Sequence, residues 1–186
     1  MTVRNIYLKI ERIDNYSPVA PMDKTAPPIL YGRDCRRGMG HANGVIPDAE
    51  IGARSLTGLV YRRYEDPEFL IPVVDKLVEA DINEPISSRR VPGTVIYAYP
   101  GDTLRITVFN SDSDPHSFHT HGIDFGIDSD GAWPFGTQAA DGRRSDEICP
   151  GSDWTYTFEI PDDALGAWPF HDHSRKMVPS ISRGLF

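Results

Sequence analysis

The sequence contains little of what several common functional classes require. Two cysteines, Cys35 and Cys149, are too few for a disulfide framework in 186 residues. Lysine and arginine total 19 against 27 aspartates and glutamates, and the net charge of -8 argues against a nucleic-acid-binding surface, which needs basic patches. No apolar run approaches the roughly 18 residues that suggest a transmembrane helix. We therefore expect neither a nucleic-acid partner nor a membrane span.

Sequence motifs for nucleophilic and nucleotide-dependent chemistry are also missing. The sequence has no G-x-S-x-G elbow, no phosphate-binding loop and no dinucleotide fingerprint. Cys35 and His41 match no familiar metal-ligand spacing, so we interpret them as parts of a loop. The first ten residues alternate in polarity like a strand and unlike a signal peptide. The protein is accordingly expected to be cytoplasmic or to have lost an export signal.

Two short histidine motifs hold four of the six histidines. The first histidine motif is residues 119–121, His119-Thr120-His121, followed by Gly122. The second histidine motif is residues 171–173, His171-Asp172-His173. Residues i and i+2 of a β-strand point to the same side, so each motif would direct two imidazoles to one point. Two such strands side by side would bring four imidazoles together.

Four imidazoles indicate a particular group of metals. Imidazole suits copper, zinc, iron and nickel, and the absence of a neighbouring thiolate or carboxylate cluster favours copper or zinc over magnesium or calcium. Two arrangements remain open at this point. The four histidines could form a closed site, or they could be half of a larger site shared with a second domain.

The rest of the chain is dominated by β-strand patterns. Strands are predicted at residues 3–13, 59–64, 91–99, 103–110 and 155–160, of which 3–13, 103–110 and 155–160 alternate in polarity, with a tight turn at 100–102. Helical spacing predicts one short helix over 66–79. Residues 16–58 are rich in proline and glycine and predict a long irregular excursion. Short strands separated by such turns point to an antiparallel sandwich or barrel.

These residues resemble the multicopper oxidases, in the cupredoxin domain that contributes half of a trinuclear copper cluster. Both histidine motifs carry the resemblance. Segments that also resemble the family are 61–69, which is similar to a ceruloplasmin-like first domain, 100–110, 140–142, 149–151 and 181–186. The similarity runs from about residue 59 to the end and is most specific over 100–186. It implies an all-β, cupredoxin-like Greek-key β-sandwich over 1–186, with an irregular insertion at about 16–58.

The resemblance also implies a role for each candidate residue. His119 would ligate a type-2 copper, and the other three histidines, His121, His171 and His173, would ligate a type-3 copper pair. Dioxygen would be reduced to water there. Asp141, in the Asp141-Gly142 match, would assist proton delivery, although an aspartate before a glycine is also common in turns.

The sequence departs from the family pattern at the type-1 copper site. Asp172 stands where a type-1 domain carries its cysteine. His116 lies where a type-1 histidine would stand, but without the cysteine it cannot complete the site, so we interpret it as a loop histidine or one that supports a ligand. Met177 lacks the same partner. We therefore expect a type-1 copper in a second cupredoxin domain or chain.

Several functional alternatives follow. The main reading is a copper-binding domain of a multicopper oxidase, whose reductant is oxidised at a type-1 site elsewhere. The alternatives are a non-catalytic copper-binding, storage or oligomerisation module and a mononuclear copper or zinc enzyme. Since the last family strand would continue past Phe186, we expect an open sheet edge filled by another chain or a homo-oligomer. The resemblance suggests an extracytoplasmic location.

Overall fold

The computed structural model describes residues 2–13, 58–73 and 94–186. Its strands are β1 (Val3–Ile13), β2 (Gly58–Tyr64), β3 (Thr103–Asn110), β4 (His119–Thr120), β5 (Asp124–Phe125), β6 (Asp153–Glu159) and β7 (Phe170–His171). A 3-10 turn spans Ile127–Ser129, and one helix, α1, spans Met177–Ser182. The predicted excursion at 16–58 lies outside the described residues except for Gly58. No helix among the described residues is long and apolar enough to cross a membrane.

A five-stranded sheet forms the body of the fold. Its strand order is β2-β1-β3-β6-β5, and β4 pairs separately with β7. Strands β1 and β3 run parallel, while the other neighbouring pairs are antiparallel. The prediction of a purely antiparallel arrangement is therefore wrong at this pair. Parallel neighbours need a crossover connection, and here the chain passes through β2 before it returns to place β3 beside β1.

The core lies against one face of this sheet. Alternate residues of the central strands point inward, because strand side chains alternate between faces. Buried residues on these strands include Ile6, Leu8, Ile10, Ile106, Val108, Tyr156 and Phe158. Burying each such side chain contributes about 1.5–3 kcal/mol. The period-2 pattern in the sequence thus predicted β1, β3 and β6 correctly, and β2 was predicted without such a pattern.

Phe118 connects the core to the first histidine motif. It is 1% exposed and immediately precedes His119. Aromatic side chains surround it on several sides: Tyr61, Tyr156, Phe158 and Phe170 have ring centres 5.0–6.0 Å from its own. Because Phe118 points into this aromatic cluster, the next residue along the chain must point away from it.

The helix predicted over 66–79 is wrong in its described part. Residues 66–73 form bends and a turn, and 74–79 lie outside the described residues. The Asp66 carboxylate accepts hydrogen bonds from the backbone amides of Leu70 and Ile71, which folds the chain into a loop. Phe69 has a φ of 58°, outside the helical region. The loop then returns along β2, with Pro72 bridged to Tyr64.

The strand predicted over 91–99 is also wrong where the structure describes it. Ile96 and Ala98 pack against the core, but residues 94–99 form no ladder. Residues 91–93 lie outside the described residues. The predicted turn that follows is confirmed. Gly101 has a φ of +78°, and Asp102 N donates to Tyr99 O at 3.0 Å, as a type II turn requires.

The end of the described chain is helical where the sequence indicated the start of a strand at 181–186. Ile181 and Ser182 belong to α1. Gly184, with a φ of +107°, then turns the chain inward. Leu185 is completely buried, and its carbonyl accepts a hydrogen bond from Asp172 N at 3.2 Å. The helix therefore packs behind the second histidine motif.

Candidate metal centre

The β4–β7 pair brings the two histidine motifs together. The strands are antiparallel, with His119 opposite His171 and Thr120 opposite Phe170. Thr120 is buried and Phe170 packs against the core. Because alternate residues of a strand point to opposite sides, the histidines project to the other side. The histidines of both motifs therefore lie on the same side of the β4–β7 pair.

All four predicted ligands lie within one cluster, which we call the four-histidine cluster (His119, His121, His171 and His173). The ring centre of His119 lies 4.9 Å from that of His121, 5.6 Å from that of His171 and 5.0 Å from that of His173. His171 lies 5.2 Å from His121 and 5.5 Å from His173 between ring centres. The structure therefore places the four imidazoles as the sequence pattern suggested.

Hydrogen bonds determine which ring nitrogen of His119 and of His171 is available to bind a metal ion. Nδ1 of His119 lies 2.6 Å from the carbonyl oxygen of Asp130, and Nδ1 of His171 lies 2.8 Å from that of Asp172. A carbonyl oxygen only accepts, so both Nδ1 atoms must carry a proton and donate. In the neutral rings Nε2 then holds a lone pair. A backbone carbonyl in this position is a common way to orient a metal-ligating histidine.

The electrostatic environment keeps His119 available as a neutral ligand. Burial lowers its pKa, and the neighbouring His173 and His121 charges act in the same direction, whereas Asp130 opposes the shift. The net effect is a pKa below the ordinary histidine value. Metal ligands must be deprotonated, so a lowered pKa favours metal binding near neutral pH.

Two aromatic side chains lie beside the histidine motifs. The ring of Phe125 lies 5.6 Å from that of His119. The Trp168 ring covers Gly122, where an added Cβ would lie 2.4 Å from Trp168 Cδ2. Phe125 is 36% exposed and Trp168 is 48% exposed, so both remain open to solvent.

The carboxylate beside the cluster is Asp130. Its Oδ1 lies 3.1 Å from His119 Nδ1, in addition to the carbonyl contact. Asp141, the predicted proton donor, lies in an exposed turn, where its Oδ2 pairs with Arg143 Nε at 2.8 Å. The pKa of Asp141 is lowered mainly by hydrogen bonds from Arg143. Sequence reasoning chose the second of two Asp-Gly pairs, although Asp130-Gly131 lies closer to the first histidine motif.

His116 and Asp172 lie in a buried polar cluster behind the histidines. His116 Nε2 lies 3.0 Å from Asp112 Oδ2, and His116 Nδ1 lies 3.1 Å from Asp172 Oδ2. Burial alone lowers the pKa of His116, but the two carboxylates outweigh burial and raise it to about 9. Burial raises the pKa of Asp172, and His116 more than reverses this shift. Both ring nitrogens of His116 therefore donate.

The described residues do not enclose a ready-made site for one ion. Within 2–13, 58–73 and 94–186, no group of three or more histidine, cysteine, aspartate or glutamate side chains converges on a single coordination point. The four rings are grouped at the separations given above, with His121 exposed and the other three histidines partly buried.

Comparison with known proteins identifies the family of this chain. The family described as multicopper oxidase matches residues 85–186. Multicopper oxidase MmcO of Mycobacterium tuberculosis (strain ATCC 25618 / H37Rv) is 36% identical over 98 residues, which are 50% of this chain and 17% of that protein. Human ferroxidase HEPHL1 is 33% identical over 90 residues, which are 44% of this chain and 8% of that protein. The chain thus spans a small part of the curated relatives it matches.

Solved structures share the architecture at lower sequence identity. A multicopper oxidase from Pseudomonas thermotolerans superposes with a TM-score of 0.52 and 19% identity, over 99% of this chain and 28% of that one. A multicopper oxidase from Campylobacter jejuni, described as a metallo-oxidase, gives 0.51 and 19%, over 98% and 24%. These similarities show an all-β, cupredoxin-like fold.

The fold defines a cupredoxin-type protein. The match over residues 85–186 shows that the chain belongs to the multicopper oxidase family, for which copper is the implied metal.

Proposed function

We propose that this chain supplies four histidines to a type-2/type-3 copper centre that another cupredoxin domain or chain completes. The observation that carries the proposal is the antiparallel pairing of His119 with His171, which gathers all four imidazoles in one cluster. In this assignment His119 serves the type-2 copper. The other three histidines, His121, His171 and His173, serve the type-3 pair.

The donor set fits copper. The four side chains offer imidazole nitrogens, which suit copper, and at least two of the rings present Nε2 because Nδ1 donates to a carbonyl. The lowered pKa of His119 supports a neutral ring. Copper bound there would supply the redox chemistry by which dioxygen is reduced to water, while a reductant is oxidised at a type-1 site elsewhere.

Two observations support a shared centre over a closed one. Phe125 and Trp168, which lie against His119 and Gly122, are apolar and partly exposed, as the core of a domain interface would be before assembly. The structural relatives are also several times longer than this chain, which leaves room in them for further domains.

The chain's own residues would orient the ligands and keep the centre apolar. The backbone carbonyl of Asp130 accepts a hydrogen bond from His119 Nδ1, and its carboxylate Oδ1 lies 3.1 Å from the same nitrogen. This contact makes it a second candidate, beside the predicted Asp141, for the carboxylate that assists proton delivery. Asp172, at the position of a type-1 cysteine, contacts His116 instead, so electrons would have to arrive from the partner.

Metal counting on the assembled protein tests the proposal. We expect three coppers per completed type-2/type-3 centre, a type-3 absorbance band and oxygen consumption with a reductant. The double variant His121→Ala/His173→Ala should lose these coppers and keep the fold by circular dichroism. His41→Ala, outside both motifs, is the matched control. One copper per chain with no oxidase activity in any assembly would favour storage or a mononuclear site, and full copper retention in the double variant would show the ligands to be wrong.

A further inference from the structure

The backbone pairing between the two histidine motifs is very short. Strands β4 and β7 contain two residues each. At one end, His121 N donates to Pro169 O at 3.1 Å and extends the pairing. At the other end, the register would set Phe118 opposite Asp172 and then Ser117 opposite His173. There His173 N donates to the Ser117 hydroxyl at 3.0 Å, so the acceptor is a side chain and not a backbone carbonyl.

The Asp172 carboxylate lies at the centre of that second end. It is completely buried. Its Oδ1 accepts hydrogen bonds from Ser117 N at 2.8 Å and from Ser174 N at 3.0 Å, and its Oδ2 accepts one from Ser174 Oγ at 3.0 Å. One carboxylate therefore ties the residues before the first histidine motif to the residue after the second.

His116 forms a hydrogen bond with this carboxylate. Nδ1 of His116 lies 3.1 Å from Asp172 Oδ2, and its Nε2 lies 3.0 Å from Asp112 Oδ2. Asp112 in turn pairs with Arg12 at the end of β1. The series Arg12–Asp112–His116–Asp172 thus connects the large sheet to the second histidine motif through alternating charges. Removing one partner of such a buried pair leaves an uncompensated charge, so the series resists rearrangement.

We propose that Asp172, held by His116, is a positioning residue that fixes the directions of His171 and His173 relative to the first histidine motif. Asp172 alternates with these two histidines along the chain, so a side chain fixed inward requires its neighbours to point outward. The identity of the bound ion rests on the proposed function. The effect on the rings is a property of this chain alone.

Nuclear magnetic resonance of the metal-free protein provides the first test. Asp172→Asn keeps the shape of the side chain and replaces one acceptor oxygen with a donor. Long-range proton–nitrogen spectra of the histidine rings should show changed ring-nitrogen shifts or a changed tautomer for His171 and His173. The matched control is Asp114→Asn, since Asp114 is a buried carboxylate of the same polar region that pairs with Lys176 Nζ at 3.1 Å. Its spectrum should keep the wild-type histidine shifts.

Copper titration provides the second test. Loss of a group that orients a metal ligand commonly costs about 10- to 100-fold in metal affinity, and we expect a loss in this range for Asp172→Asn but not for Asp114→Asn. If Asp172→Asn does not fold, His116→Gln takes its place, since it leaves the serine donors to Asp172 intact. It should shift the same two rings to a smaller extent.

The outcomes separate this inference from the proposed function. Unchanged histidine rings in Asp172→Asn, or in His116→Gln where that variant is used, would overturn the positioning role. Equal changes in Asp172→Asn and Asp114→Asn would overturn it as well, because the effect would then be general to buried charge. A wild-type chain that binds no copper in any assembly would refute the proposed function, while the ring spectra of the metal-free protein would still decide the role of Asp172.

Discussion

The Nε2 atoms of His121 and His171 lie 3.0 Å apart across the β4–β7 pair. Since His171 donates from Nδ1 to the Asp172 carbonyl, its Nε2 in the neutral ring carries a lone pair directed at His121. A hydrogen bond donated by Nε2–H of His121 to this lone pair satisfies the contact, and a metal ion bound to either nitrogen would have to replace that bond.

Copper should stabilise the folded chain through this pair. A ligand that binds only the folded state, at 100 times its dissociation constant, raises the free energy of unfolding by about 2.7 kcal/mol. We expect Cu(II) to raise the melting temperature of the wild type in this manner and to have a much smaller effect on His171→Ala, measured by thermal unfolding. Magnesium, which prefers oxygen ligands, is the control ion. Equal stabilisation by both ions would contradict a histidine site.

Gly122→Ala should be more destabilising than its backbone conformation alone explains. Gly122 has a φ of +72°, and an added Cβ would lie 2.4 Å from Trp168 Cδ2. Overpacking of this kind costs about 1–3 kcal/mol, beyond the strain of a positive φ. Gly151 has a similar φ of +74° with nothing within 4 Å of an added Cβ, so Gly151→Ala measures the backbone strain alone. Urea unfolding of the two variants gives the difference in their free energies of unfolding. Equal losses of stability would show that the Trp168 ring moves aside without an energetic cost.

The two candidate carboxylates can be separated by matched amide variants. Asp130 contacts His119 at 3.1 Å, whereas Asp141 is exposed and pairs with Arg143. We expect Asp130→Asn to lower oxygen consumption or copper affinity by about 10- to 100-fold. Asp141→Asn loses a surface ion pair worth about 0–1 kcal/mol and should change either quantity little. A larger loss in Asp141→Asn would restore the sequence-based assignment of proton delivery to that residue.

Stability should fall with rising pH just above neutrality. The carboxylates of Asp112 and Asp172 raise the pKa of buried His116 from 6.5 to about 9, so the folded state keeps a proton that the unfolded state loses. Its contribution is complete below pH 6.5 and is lost between pH 6.5 and about 9. One pKa unit corresponds to about 1.4 kcal/mol, so the whole change is on the order of 3 kcal/mol.

A second buried group limits the pH range in which this effect can be read. Burial lowers the pKa of Lys176 from 10.5 to about 8, so between pH 8 and 10.5 this group makes stability rise with pH. The free energy of unfolding should therefore be measured by urea titration from pH 6.5 to 8. Asp112→Asn, which removes one carboxylate partner of His116, should flatten the slope. A slope that is already flat in the wild type would rule out a charged His116.

The strands with clean alternation could be predicted because period-2 polarity is a local property. Strands β1 and β3 match their predicted ranges, and β2 and β6 differ by a few residues at the ends. The helix over 66–79 failed in its described part for a tertiary reason. Phe69 leaves the helical region to pack among aromatic rings on the sheet, with ring centres 5.4–6.4 Å away: Tyr7, Tyr64 and Phe109. Apolar spacing cannot reveal that Phe69 packs against Tyr7 and Phe109, which are distant in sequence.

The sequence by itself determined which imidazoles form each of the two pairs, because the i, i+2 spacing within a strand places two side chains on one face. Only the tertiary structure decided how the two pairs meet. The register that sets His119 opposite His171, the approach of Asp130 to His119, and the contact of His116 with Asp172 all join residues from separate segments. Their geometry depends on the packing of β4 and β7 over Phe118 and its aromatic neighbours, which no local pattern specifies.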